Sequence, residues 1–325
     1  MDMTEPIVDV YLTPDHLERS LQEDARAGLT SSHRWLPPKW FYDSRGSDLF
    51  EEITRLPEYY PTRTEKSILG AHARDIAQRT GAHTLVELGS GSSEKTRLLL
   101  DALRDGGTLR QYVPLDVSET ALRDAVAAMH GDYPTVAIHG VVADFTKHLD
   151  RIPGQTPRMV AFLGGTIGNL FPDERAAFLG ELHMTLAPGD WLLLGTDLVK
   201  DPDVLVPAYD DTAGVTAEFN RNVLAVLNRE LGGDFDLENY EHVAVWDRQN
   251  EWIEMRLRAR ARAQVKLREL DLDIELLVGE EIRTEISAKF RRDGVEGELA
   301  VAGFGLDSWW TDPEGLFALT LAQAR

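Results

Sequence analysis

The 325-residue chain contains no cysteine. Disulfides, thiolate nucleophiles and cysteine-bound metals are thereby excluded, and the lack fits a reducing compartment. Basic residues are also scarce: 34 Lys and Arg stand against 55 Asp and Glu, a formal net charge of −21. Nucleic acid is a poor partner for such a surface, because its phosphates need a basic footprint. Anionic lipid is disfavoured for the same reason, whereas solubility is served and a cationic ligand would be attracted. No apolar run approaches the roughly 20 residues that span a bilayer. The opening MDMTEPIVDVYLTPDHLERS has acids where a secretory signal has a basic flank and an apolar core, so the expectation is a cytoplasmic protein. Neither the G-x-x-x-x-G-K-[ST] string of phosphate-binding loops nor an H-E-x-x-H cluster occurs, and the nine histidines are scattered.

What is present is a regular alternation of strand and helix signals over about residues 64–199. HTLVELG, QYVPLDV, TVAIHGVVADF, RMVAFLGG and DWLLLGTDL are apolar runs, with helical stretches such as SSEKTRLLLDALRD, SETALRDAVAAMHGDY and DERAAFLGELHMTLA between them. Near-continuous apolar strands separated by helices predict a parallel sheet covered on both faces. The pattern then changes. GVTAEFNRNVLAVLNRELGG reads as a long helix, and HVAVWDRQNEWIEMRLRARARAQVKL as antiparallel strands about the turn Asp247–Asn250, with RLRARARAQV a half-exposed strand. After about residue 289 a glycine-weakened helix precedes SWWTD and LFALTLAQA, two strands joined by Pro313-Glu-Gly315 that predict a terminal antiparallel hairpin. The expected organisation is an α/β domain of residues 64–199 and 289–325, with residues 1–63 and 200–288 forming a second, α+β domain.

Glu87-Leu-Gly-Ser-Gly-Ser-Ser93 stands where the first of those five strands meets its helix. Glycines there let the backbone turn sharply and approach a ligand, and a helix N-terminus offers free N–H groups. A dinucleotide site wants a third glycine in G-x-G-x-x-G, but that position is Glu94, whose charge would repel a pyrophosphate. Asp116 closes the second strand, where a carboxylate can accept both ribose hydroxyls of an adenosine; capping the helix that starts near Ser118 is its alternative role. Asp144-Phe145 closes the third strand, fitted to an adenine amino group and base face, or else to an ordinary turn. Together these residues favour an adenosine ligand without a pyrophosphate.

The Glu-Leu-Gly-Ser-Gly turn with acids at strand ends resembles the first motif of class I S-adenosylmethionine-dependent methyltransferases, with Ser93 where glycine is common. Longer segments are more specific: LPPKWFYDSRGSDLFEEITRLPEYYPTRTE (36–65), FLGGTIGNL (162–170), LLLGTDLVKD (192–201), AYDDTAGVTAEFNRNVLAVLNREL (208–231) and TEISAKF (284–290). Over nearly its whole length the chain resembles the histidine-specific methyltransferase family. The resemblance implies a class I Rossmann-like sheet, mostly parallel with an antiparallel terminal hairpin, beside an α+β substrate-binding domain.

It also implies an activity: trimethylation of the α-amino group of L-histidine to hercynine, in ergothioneine biosynthesis, by a protein acting as a monomer. A different amino acid, or a small imidazole or indole amine, is the alternative substrate. The resemblance assigns Gly89, Lys95, Asp116, Asp144 and Phe145 to S-adenosylmethionine. Tyr59, Asn169 and Tyr209 fall to the α-amino and carboxylate end of the amino acid, Glu285 and Ser287 to the imidazole, and Tyr42 and Met255 to positions near the same pocket. No metal and no dedicated general base is implied. Gly165, Ala288 and Arg256 depart from the usual Ser, Cys and aromatic residues of the family, away from those substrate positions.

Overall fold

The computed structural model describes residues 5–91 and 93–325. Along the chain the first elements are β1 (Ile7–Val10), α1 (Pro14–Thr30), β2 (Arg34–Trp35), α2 (Ser44–Ile53) and α3 (Pro61–Thr80). There follow β3 (Thr84–Leu88), α4 (Arg97–Asp105), β4 (Gln111–Asp116), α5 (Glu119–Asp132), β5 (Ala137–Val142), β6 (Arg158–Phe162), α6 (Pro172–Thr185) and β7 (Trp191–Asp197). Next come α7 (Pro202–Leu205), α8 (Val215–Leu231), β8 (Tyr240–Asp247), β9 (Trp252–Ala259), β10 (Ala263–Leu267), β11 (Leu272–Leu276) and β12 (Glu281–Ala288). The last are α9 (Arg292–Val301), β13 (Phe304–Thr311) and β14 (Phe317–Ala324). No helix among the described residues is long and apolar enough to cross a membrane.

Two compact units result. The first comprises the N-terminal segment through Leu12, Pro61–Val199 and Phe290–Arg325; the second comprises Thr13–Tyr60 and Lys200–Lys289. The first unit is built on an eight-stranded sheet in the order β1-β5-β4-β3-β6-β7-β14-β13. All neighbours from β1 to β7 are parallel, and β14 runs antiparallel to both β7 and β13. Every residue of β3, β6 and β7 is buried, as continuous apolar runs require of strands covered on both faces. The chain proceeds outward from β3 through β4 to β5 and returns to the other side of β3 as β6. That reversal opens a crevice at the carboxyl ends of β3 and its neighbours, the usual ligand position of open α/β sheets.

The expected placement of residues 1–63 needs correction. Ile7–Val10 does not join the second unit; it extends the large sheet, pairing with His139–Val142. Asp9 adds a side-chain tie, its Oδ2 lying 2.8 Å from His139 Nε2. A four-residue edge strand held mainly by backbone bonds leaves little apolar pattern to read. Pro61–Arg63 also belong to the first unit, as the start of the 20-residue α3.

The second unit carries a four-stranded sheet, β2-β12-β9-β8, and a separate β10-β11 hairpin. Helix α8 is its internal element, burying Phe219, Val223, Leu224, Val226, Leu227 and Leu231. The β8–β9 turn forms where Asp247 Oδ1 accepts from Gln249 N at 2.8 Å and Asn250 N at 3.0 Å, the local capture expected of an aspartate in a turn. RLRARARAQV is not one strand. β9 ends at Ala259, and Asn239 captures the next two amides, its carbonyl accepting from Arg260 N and its Oδ1 from Ala261 N, both at 2.8 Å. The chain turns there and β10 pairs in the other sheet, because strand periodicity does not report where a ladder changes partner.

Candidate active site

The glycine turn of the first unit rests on β4. Leu115 O accepts from Gly89 N at 2.8 Å and from Ser90 N at 3.0 Å, and Asp116 Oδ2 accepts from Gly91 N at 3.0 Å. Gly89 and Gly91 take φ values of +70° and +49°, which an L side chain adopts only under strain. A Cβ at either would meet nothing within 4 Å, so open space lies beside the turn. Ser93, in the position where glycine is common, also sits at +55°. Its Oγ lies 2.9 Å from the Tyr112 hydroxyl, which offsets part of that strain. Ser92, within the same turn, lies outside the described residues.

Glu87 does not face a ligand. Its carboxylate is buried beneath the turn, accepting from the hydroxyls of Thr96 and Tyr112. Burial outweighs those hydrogen bonds and pushes its carboxyl up to about 7. Asp116 is half-buried, with Oδ1 accepting from Ser118 N at 3.0 Å; burial raises its pKa above the ordinary carboxylate value. The helix that follows is capped by Ser118, whose hydroxyl accepts from Ala121 N, so the Asp116 bond to Ser118 N is a turn contact and not the cap. A carboxylate has about four lone-pair sites, and the backbone amides of Gly91, Ser118 and Val117 face this one.

Asp144 follows β5, its Oδ1 accepting from Thr146 N at 2.9 Å and Thr146 Oγ1 at 2.6 Å, so the turn role is present. Phe145 packs edge-on against Phe162 at 5.0 Å between centroids. Lys95 is engaged by a partner that sequence reading missed. It donates to Glu65, which is completely buried, and Glu65 also accepts from Gly164 N at 2.8 and 3.0 Å. One carboxylate thus joins the segment after β3 to the turn after β6. The run Pro61-Thr-Arg-Thr-Glu65 places this glutamate one turn into the helix, buried beside Pro61 and Thr64, and nothing in its local spacing announces that burial. Asn169 ends the short 3-10 turn Thr166–Asn169 that follows this bridged segment, half-buried.

In the second unit the structure brings several predicted residues together. Tyr42, Phe50, Tyr59 and Tyr209 form a chain of edge-on rings, with centroids 5.6, 6.2 and 6.4 Å apart in turn. The Tyr209 hydroxyl lies 2.8 Å from Ser287 Oγ. Glu285 pairs across strands with Met255, which puts those two side chains on one face, and Ser287 follows at the alternating position. The β9–β12 register shifts between Arg283 and Glu285, a bulge that re-aims what comes after it. Arg256, one of the departures from the family pattern, is occupied elsewhere, bonded to Glu254 at 2.9 Å and Glu281 at 2.7 Å. Asn169 belongs to the first unit.

A buried polar chain, also missed from sequence, fixes the backbone of Tyr209. Thr284 Oγ1 donates to Asn220 Oδ1 at 2.6 Å, Asn220 Nδ2 lies 2.8 Å from His242 Nδ1, and His242 Nε2 lies 2.7 Å from Tyr209 O. Because the amide donates to Nδ1, the imidazole proton sits on Nε2 and is given to the Tyr209 carbonyl. Burial lowers the His242 pKa, in keeping with a neutral ring.

The strand order of the first unit, with an antiparallel strand inserted beside β7 and a glycine turn at the β3 end, defines a class I S-adenosylmethionine-dependent methyltransferase fold. More narrowly, the chain belongs to the family described as histidine-specific methyltransferase, SAM-dependent, which matches residues 21–324. It is 58% identical over 312 residues to the histidine N-alpha-methyltransferase of Mycolicibacterium smegmatis, covering 96% of this chain and 97% of that one. Identity to the histidine N-alpha-methyltransferase of Mycobacterium tuberculosis is 53%, with the same coverage. Ergothioneine biosynthesis protein 1 of Neurospora crassa is 37% identical over 207 residues, 61% of this chain and 23% of that one.

Proposed function

We propose that this protein transfers methyl groups from S-adenosylmethionine to the α-amino nitrogen of L-histidine, three in succession, to give hercynine on the route to ergothioneine. The observation that carries the reading is the 58% identity, over 96% of the chain, to a protein named for that activity. The first unit is the methyltransferase domain and the second binds substrate. The protein acts as a cytoplasmic monomer without nucleic-acid or membrane partners.

S-adenosylmethionine supplies an electrophilic methyl on a sulfonium: the nitrogen lone pair forms the N–C bond, the C–S electrons stay on sulfur, and S-adenosylhomocysteine leaves. The residues present suit that cofactor, since the space beside Gly89 and Gly91 and the Asp116 carboxylate lie at one sheet edge. Asp116 accepts the ribose hydroxyls, Asp144 and Phe145 hold the adenine, and Lys95 acts with the charge partner Glu65 behind it. Asn169, Tyr59 and Tyr209 hold the amino-acid end of the substrate, while Glu285 accepts the imidazole N–H and Ser287 meets the second ring nitrogen. The amine must arrive unprotonated and in line with the breaking bond, about 3 Å from the methyl carbon. No side chain is assigned as base; the proton released at each transfer goes to solvent.

Initial rates with histidine and tryptophan at equal concentration test the substrate assignment. Histidine is expected to be methylated and tryptophan to be a poor competitor. Comparable rates, or strong inhibition by tryptophan, would replace histidine with a broader aromatic amine specificity.

A further inference from the structure

Beyond the assigned residues, β12 delivers one more polar group to the same place. Lys289 follows Glu285 and Ser287 in the strand alternation, and its backbone N–H continues the ladder by donating to Glu251 O at 2.8 Å. The side chain is buried, at 4% exposure. Its Nζ lies 2.8 Å from the Tyr209 hydroxyl and 2.8 Å from Ser287 Oγ, and those two oxygens are themselves 2.8 Å apart. The three atoms make a closed, nearly equilateral triangle.

Counting protons and lone pairs in that triangle has a definite outcome. An ammonium can only donate, so both Lys289 edges are occupied by its hydrogens. The Tyr209–Ser287 edge holds one hydroxyl hydrogen, and the other hydroxyl must direct its hydrogen out of the triangle. A phenol is the stronger acid and the better donor, which puts the Tyr209 hydrogen on the shared edge. Ser287 Oγ then accepts twice, from Lys289 and from Tyr209, and both its lone pairs are used. Toward anything outside the triangle it can act only as a donor.

We propose that Lys289 is a positioning residue for substrate specificity: by donating to both Tyr209 and Ser287 it makes the Ser287 hydroxyl an obligate donor, fitted to an aromatic ring nitrogen that carries a lone pair. This rests on the assignment of Glu285 and Ser287 to the imidazole. With Glu285 accepting a ring N–H and Ser287 able only to donate, the pair reads a neutral imidazole in one orientation. An imidazolium, with a hydrogen on each nitrogen, would set N–H against O–H at Ser287.

A double-mutant cycle in the full-length protein tests the inference, using steady-state kinetics with histidine and calorimetric binding of S-adenosylhomocysteine. Ser287→Ala and Lys289→Met are each expected to raise KM for histidine about tenfold, the scale of one lost hydrogen bond to a charged or polarised group. Cofactor binding should stay unchanged. The double variant should be no worse than the poorer single one, because Lys289 acts through Ser287. Losses that multiply, or a normal KM in Lys289→Met beside a raised one in Ser287→Ala, would overturn the inference alone. An unchanged KM in Ser287→Ala would overturn the assignment of Ser287 to the substrate and the inference with it. Should Lys289→Met fail to bind cofactor, Lys289→Ala, which likewise removes both donated hydrogens, provides the same cycle.

Discussion

The two units bury ionisable groups of opposite kinds and support them differently. Beneath the glycine turn of the first unit lies Glu87, an acid held by two hydroxyls and raised to about 7 by burial. In the second unit His242, a base, is kept neutral by burial within a chain of amide, imidazole and carbonyl. In each the uncharged form suits the buried site, but the pH dependence has opposite sign. Between pH 4.5 and about 7 native Glu87 keeps a proton that the unfolded chain has lost, so its contribution is greatest in acid and disappears as pH rises through that window. Unfolded histidine binds a proton near 6.5, while native His242 resists until the pH is lower. Its contribution is present above 6.5 and is lost as pH falls. A fold that buries one group of each kind is squeezed from both sides of neutrality.

The largest expected effect belongs to the acid. Chemical denaturation of the parent and of Glu87→Gln, at pH 4.5 and pH 8, should differ in pH slope by about 3 kcal/mol, the equivalent of a displacement from 4.5 to about 7. Parallel profiles would remove Glu87 from the account. Next comes the carboxylate that bridges two turns of the same unit. A Cβ at Gly195 would lie 2.1 Å from Glu65 Oε1, and the Gly164 amide and Lys95 hold that carboxylate in place. Gly195→Ala should therefore cost about 1–3 kcal/mol in thermal stability and weaken S-adenosylhomocysteine binding by calorimetry. Full retention of both would show that the bridge yields freely.

In the second unit Thr284→Val removes the hydroxyl that satisfies Asn220 and should cost about 1–2 kcal/mol in denaturant titration, with KM for histidine raised because Tyr209 loses its anchored carbonyl. A stability loss with an unchanged KM would confine the chain to a structural part. The smallest change is expected of His242→Gln: a flatter acid limb below pH 6.5, read by hydrogen exchange in β8 peptides, with the β3 and β4 peptides unaffected. A flattened alkaline limb instead would reverse the sign assigned to this group.

Much of the first unit could be read from the sequence, because fully buried parallel strands are uninterrupted apolar runs and each candidate acid stands at the end of one. Asp116 is recognisable from position alone. The second unit was harder for a physical reason. Tyr209 and Ser287 are 78 residues apart, and Asn220 and Thr284 are 64 apart. No local spacing announces such pairs, and resemblance supplied Tyr209, Glu285 and Ser287 where periodicity could not. Lys289 lay in the quoted run TEISAKF, two positions beyond Ser287, and strand alternation was enough to place it on the same face. β1 escaped because four residues at a sheet edge are held by backbone bonds, and the break at Arg260–Arg262 escaped because the alternation passes through it unchanged.

Mass spectrometry of histidine incubated with the protein and S-adenosylmethionine tests the central claim most directly, with fragmentation to locate the added groups. The account predicts a product carrying three added methyl groups, all on the α-nitrogen. Methyl groups on the imidazole ring, or no product from a protein that binds S-adenosylhomocysteine, would contradict it.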